Sequence, residues 1–279
     1  MMSARPASAD TSPVAQSEPP SAAPTPSTSS AAEGSLHLGW WLDGSMTGAA
    51  VAALGLATLI PVDNSSTWKT QLLPVDDLLE GRYSANAGRL SDIILGIDVA
   101  VPVALFAGRG LDCESGKRVF VYGETLLVAL ALDATIKPLV SRPRPYTYSN
   151  DPAVTDFAKS QGNDAHLSFY SRHANTTFAA SVAGAYLFAQ SSTDTNARAA
   201  VWGVELAMAS ATSDLRTRAG MHFYSDVLVG ALIGSSLGLV IPYLHGGPKV
   251  HLSKMEWLAI VLGPLAGIAL GELLPASGP

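Results

Sequence analysis

A single cysteine, Cys113, stands in 279 residues, so no intrachain disulfide can form and a cysteine-built metal site is disfavoured. Charge is also scarce. Charged residues make up 14% of the chain, against about a quarter in soluble domains. Cations are outnumbered, 17 Lys and Arg against 23 Asp and Glu. The net charge of −6 argues against a broad basic face, so no nucleic-acid partner is expected. Strand alternation with hairpin turns does not recur, and there is no internal repeat. Aliphatic bulk is nearly missing from residues 1–36, which are mostly Ser, Ala, Pro and Thr. Such a stretch buries too little to offset its ordering entropy and is expected to be a disordered tail. Arg5 is its only cation and no apolar run follows it, unlike a signal peptide.

What is present is a series of apolar runs over residues 37–279. Trp40 and Trp41 precede the first, Thr47 to Val62, and a tryptophan pair suits a membrane interface. A short helix is expected around Leu72 to Tyr83. Further helices are expected over Ser91–Gly108, Arg118–Ile136, Thr177–Gln190, Arg198–Ala211 and Asp226–Leu244. Only some reach the roughly 20 residues that a span needs. Met255 to Leu274, interrupted by Gly263, Pro264, Gly267 and Gly271, reads either as a seventh span or as a tail lying on the bundle. Gly230, Gly234 and Gly238 recur every four residues, a face suited to close helix packing. The fold class is all-α, a membrane-embedded bundle of about six helices with a possible seventh, and a buried soluble bundle is the rival.

Three clusters carry chemistry. The first runs from Lys137 to Arg144-Pro145, where Pro138, Pro143 and Pro145 predict an extended exit from the third helix. Arg144 offers a planar fork for phosphate and Lys137 a point charge. The connection from Pro145 to Arg172 is long for a compact domain, which marks it as functional or disordered; its His166 reads as a solvated loop histidine. The second cluster, Ser171-Arg172-His173, reads as a helix start, where free N–H groups favour an anion. Ser171 there either caps the helix or donates to phosphate. The third contains Arg216, His222 and Asp226, with Gly220 permitting a tight approach. His222 and Asp226 are spaced to share a helix face. A carboxylate on one ring nitrogen would fix the tautomer and free the other nitrogen to attack. A metal pair or a structural His–Asp bond is the alternative, though no third histidine is suitably placed beside His173 and His222. If each run crosses a layer once, all three clusters emerge on one side.

Together these clusters resemble the type 2 phosphatidic acid phosphatase and vanadium haloperoxidase superfamily, in its membrane lipid phosphatase branch. Lys137 and Arg144-Pro145 match its K-x6-R-P motif. Ser171 and His173 match P-S-G-H, and Arg216, His222 and Asp226 match S-R-x5-H-x3-D. The resemblance covers residues 90–245, the expected catalytic core. It implies that His222 is the nucleophile of a phosphohistidine intermediate, Asp226 its orienting partner and His173 the proton donor. Lys137, Arg144, Ser171 and Arg216 would hold phosphoryl oxygens, with no metal or other cofactor. The implied substrate is a lipid phosphate or pyrophosphate among membrane lipids. The implied location is an integral protein of a bacterial inner membrane with its site on the periplasmic face. Three departures stand out: Tyr170 for proline, Arg172 for glycine and Leu215 for serine. Arg172 is assigned to phosphate as an added cation. The same pocket could serve a vanadate-dependent haloperoxidase, or persist in a non-catalytic membrane protein.

Overall fold

The computed structural model describes residues 1–2, 34–65 and 73–275. The expected disordered tail therefore lies almost wholly outside the described residues, as does the start of the helix expected at Leu72. Among the described residues the chain is all helix and loop. Eight α-helices run in order: α1 Trp40–Ala57, α2 Ala85–Gly108, α3 Cys113–Val140, α4 Pro152–Ser160, α5 Arg172–Ser191, α6 Thr195–Arg218, α7 Tyr224–Leu244 and α8 Lys254–Leu273. Seven are long, matching six expected runs and a seventh at the C-terminus. The rest of the short segment near Leu72 is a 3-10 helix, Pro74–Leu79.

Helix ends fall outside the apolar runs because caps set them. Ser84 accepts from Ala87 N–H, Asp112 from Ser115 N–H and Asp194 from Asn196 and Ala197 N–H. Each satisfies an orphan donor of a first turn. α3 also runs further than its prolines predict. Pro138 removes one hydrogen bond to the turn before it, and the helix continues past it by only two residues, to Val140. The helix stops only at Ser141, whose φ is 48°, before Arg142-Pro143. The long connection after Pro145 is not structureless: it holds a 3-10 turn, α4 and a second 3-10 turn, Gly162–His166.

The bundle buries polar side chains beside an apolar core and leaves many large apolar ones exposed. α2, α3, α7 and α8 are long and apolar enough to cross a membrane. Along α7 the buried positions include Gly230, Gly234 and Gly238, while Leu228, Leu232 and Leu239 face outward. Along α8, Gly263, Gly267 and Gly271 face inward, and Val261, Leu265 and Ile268 outward. Leucine stripes pointing away from the packing side suit lipid, and small residues let helix backbones meet. A methyl added at Gly234 would stand 2.2 Å from the Asn175 carbonyl oxygen of α5. One at Gly267 would stand 2.1 Å from the Ala207 carbonyl oxygen of α6. The glycines of the last run, read as weak helix signal, are thus what seats α8 on α6. Buried Asp98, Ser181 and Glu205 lie in the interior, where Ser181 Oγ donates to Asp98 Oδ1 at 3.1 Å. This is an all-α integral membrane bundle.

Candidate active site

One end of the bundle gathers the three clusters, because α3 ends there, α5 and α7 begin there, and α6 ends there. Lys137 sits in the last turn of α3, not beyond it, with its side chain 4% exposed. Its Nζ donates to the Leu167 carbonyl at 2.7 Å and stands 3.8 Å from Asp133. Arg144 is held by the connection it opens: Nε donates to the Asp164 carbonyl at 2.8 Å and Nη1 to the Met221 carbonyl at 3.1 Å. Ser171 caps α5, its Oγ accepting from Ala174 N–H at 3.3 Å.

His222 is buried in the turn before α7, so it is not on the helix with Asp226. Gly220, with φ of 68°, makes that turn; a methyl there would strike the Arg82 carbonyl oxygen at 1.8 Å. The expected bond between ring and carboxylate is absent. His222 Nδ1 is 4.0 Å from Asp226 Oδ2 and 2.8 Å from the Ser168 carbonyl oxygen. A carbonyl only accepts, so Nδ1 carries the proton and Nε2 carries the lone pair. The tautomer suited to attack is set by backbone instead of carboxylate. Burial, then Lys137, Arg144, Arg216 and His173, holds the His222 imidazole well below its usual pKa of 6.5.

Asp226 is occupied elsewhere. Its Oδ1 accepts from Arg142 Nη1 at 2.6 Å, and its Oδ2 from Ser168 Oγ at 2.6 Å and Phe223 N–H at 2.9 Å. Arg142 Nη2 also donates to Asp76 at 3.1 Å, and its guanidinium lies 4.2 Å from the centre of the Phe223 ring. Asp76 in turn receives Ser225 N–H and Oγ. Neither Arg142, Ser168 nor Asp76 was singled out from sequence. Arg142 lies inside the six-residue gap of the first motif, where spacing alone ignores it.

His173 and Arg216 meet a residue from α2. His173 Nε2 lies 2.8 Å from Asp92 Oδ1, and Arg216 Nη1 lies 3.5 Å from the same oxygen. Arg172, assigned to phosphate by sequence, donates through Nε to Asp133 at 2.6 Å and is half exposed. Asp133 thus stands between Arg172 and Lys137.

A buried imidazole with its Nε2 lone pair free, under the influence of three cations and a second imidazole, is suited to phosphoryl transfer. The family model of the PAP2 superfamily matches residues 118–248, from early α3 past the end of α7. That match identifies the stretch as a PAP2-superfamily region and supports a phosphatase-type hydrolase in general. No curated protein and no solved structure matches the chain.

Proposed function

We propose that the protein hydrolyses a lipid phosphate or pyrophosphate through a phosphohistidine at His222. The observation that carries this reading is the Nδ1–H contact to Ser168, which leaves the Nε2 lone pair free for attack, with Lys137, Arg144 and Arg216 acting on the ring through their charges. In the first step Nε2 attacks phosphorus, a P–N bond forms and the P–O bond to the lipid breaks. His173 gives its proton to the departing oxygen. In the second step water attacks phosphorus, the P–N bond breaks and His173 takes the proton from water. Lys137, Arg144 and Arg216 carry the charge that accumulates on the phosphoryl oxygens, a role their burial strengthens. Ser171 adds a hydroxyl at the start of α5, and Arg172 a cation at the rim. These side chains supply the positive charge without a metal.

Support for a lipid comes from the flank of the site. A cavity of about 310 Å³ is lined by Phe178, Val227, Leu228 and Ile268, and also by Asp214, Thr217 and Tyr224. Thr217 and Tyr224 follow Arg216 and His222 closely in the chain. A second cavity of about 480 Å³ shares Phe178 and Pro264 with it and continues among Tyr186, Trp202, Leu239 and Trp257. Chains of a lipid could lie along this groove while its headgroup enters the cationic pocket. We assign the site to the periplasmic face of a bacterial inner membrane, where headgroups of the outer leaflet are presented to it.

The test is phosphate release from phosphatidate, isoprenyl pyrophosphates and phosphorylated glycolipids in detergent with EDTA present. Release with EDTA, and its loss in His222→Ala, is the expected result. Release at the wild-type rate by that variant would overturn the assignment. Vanadate is expected to inhibit, and bromide oxidation on adding vanadate and peroxide would favour a haloperoxidase instead.

A further inference from the structure

At the other end of α7, about 30 Å from His222 at 1.5 Å per residue, a second cluster of ligating side chains is built into the bundle. His245 closes α7, Glu124 lies in α3 and Asp43 lies in the first turn of α1. Their ligating atoms all lie within 4.8 Å of one another. His245 Nε2 is 2.7 Å from Asp43 Oδ1 and 3.2 Å from Glu124 Oε2. The three side chains are 0%, 11% and 1% exposed, so two carboxylates are held nearly out of water. Among the described residues no lysine or arginine pairs with either.

The ring nitrogens fix what this trio can do. His245 Nδ1 is 2.7 Å from the Ile241 carbonyl oxygen, which only accepts, so Nδ1 carries a proton. In the neutral ring Nε2 is then a lone pair aimed at two carboxylate oxygens. Glu124 Oε2 is buried and accepts no hydrogen bond among the described residues. Its other oxygen is tied down by Thr47 Oγ1 at 2.8 Å. A histidine anchored through its far nitrogen to a carbonyl, and a carboxylate anchored through its far oxygen to a hydroxyl, are what surround a bound metal. A protonated ring would leave the trio one charge negative, whereas a divalent cation with a neutral ring brings it to zero. Asp43 and Thr47 also line an open cavity of about 370 Å³ beside Trp40 and Phe120, room for a water as a further ligand.

We propose that Asp43, Glu124 and His245 bind one divalent transition-metal ion of the zinc class. One nitrogen and two carboxylates suit Zn²⁺, Mn²⁺ or Co²⁺ better than a soft cuprous ion. The ion joins α1, α3 and the end of α7, next to the place where Leu36 bridges to Gly246 and His37 N–H donates to the His245 carbonyl. It clamps the first helix to the bundle and takes no part in the chemistry at His222.

The test is Co²⁺ titration of the chelator-stripped full chain in detergent, read by visible absorption, with Zn²⁺ as competitor. One Co²⁺ per chain with bands displaced by Zn²⁺ is expected, and Zn²⁺ should raise the melting temperature. Asp43→Asn, Glu124→Gln and His245→Asn should each lose the bands, and Thr47→Val should weaken binding about 10- to 100-fold. His173→Ala leaves the trio intact and should keep them. Absence of stoichiometric binding by the folded wild-type chain, or bands that survive Asp43→Asn and Glu124→Gln but vanish in His173→Ala, would overturn the proposal.

Discussion

Asp226 stands 4.0 Å from His222, too far to hydrogen-bond the ring it follows in sequence, while it accepts a 2.6 Å bond from Arg142. Its charge reaches the imidazole through space only, and the Ser168 carbonyl fixes the proton. Asp226→Asn should therefore spare the tautomer. At this distance a unit charge is worth about 1–3 kcal/mol in a partly polar pocket, so kcat should fall about 10- to 100-fold. Imidazole ¹⁵N shifts should still show Nδ1 protonated. A loss as deep as that of His222→Ala, or an inverted tautomer, would contradict this account.

The two histidines should behave differently from Asp226. Loss of the nucleophile or the proton donor removes about 3–5 kcal/mol of barrier lowering, a thousandfold or more in rate. His222→Ala should abolish ³²P labelling of the protein from a labelled substrate. His173→Ala should retain labelling for a substrate with a good leaving group, since protonation matters least there. Acid-labile, base-stable label on the wild-type chain is the readout.

Arg142 answers to a different measurement. It is 1% exposed and bridges Asp76 and Asp226, so Arg142→Ala removes the cation that pairs with two buried carboxylates. Breaking a buried pair in this way costs about 3–5 kcal/mol. The variant should unfold earlier in a denaturant or thermal series and lose activity with it. Arg142→Lys keeps the charge but cannot reach Asp76, Asp226 and Ser225 together, and should recover only part of the loss. A variant as stable as wild type would show that the bridge from the segment after α3 to the 3-10 turn Pro74–Leu79 and α7 adds no stability.

Much of this site was legible because its motifs have fixed spacing. Lys137, Arg144, Arg216 and His173, from all three clusters, each act on the His222 imidazole and lower its pKa. Arg142, Ser168, Asp76 and Asp92 were not legible, because their partners lie tens of residues away and no local pattern announces them. Helix ends were misread for a related reason. Apolar counting finds the lipid-facing part of a helix, whereas α6 runs from Asp194's cap through Arg216 on polar, inward-facing residues. The glycine face of α7 was legible from its spacing; that of α8 was not, because Pro264 and the same glycines also weaken a helix signal.

The glycine faces make a stability prediction that is independent of chemistry. At Gly234 an added methyl meets the Asn175 carbonyl oxygen at 2.2 Å and Ala179 N at 3.0 Å, both backbone atoms of α5 that cannot swing aside. Gly234→Ala must push α7 from α5, an overpacking cost of about 1–3 kcal/mol that exceeds alanine's helix advantage. Gly230→Ala should act likewise, since its methyl would meet the Ser171 carbonyl oxygen at 2.6 Å. Because Ser171 caps the helix that carries His173, Gly230→Ala should also lower kcat, while Gly238→Ala, deeper in the bundle, should lower the melting temperature with less effect on rate. Gly55→Ala of α1, where nothing lies within 4 Å, is the control and should raise stability slightly.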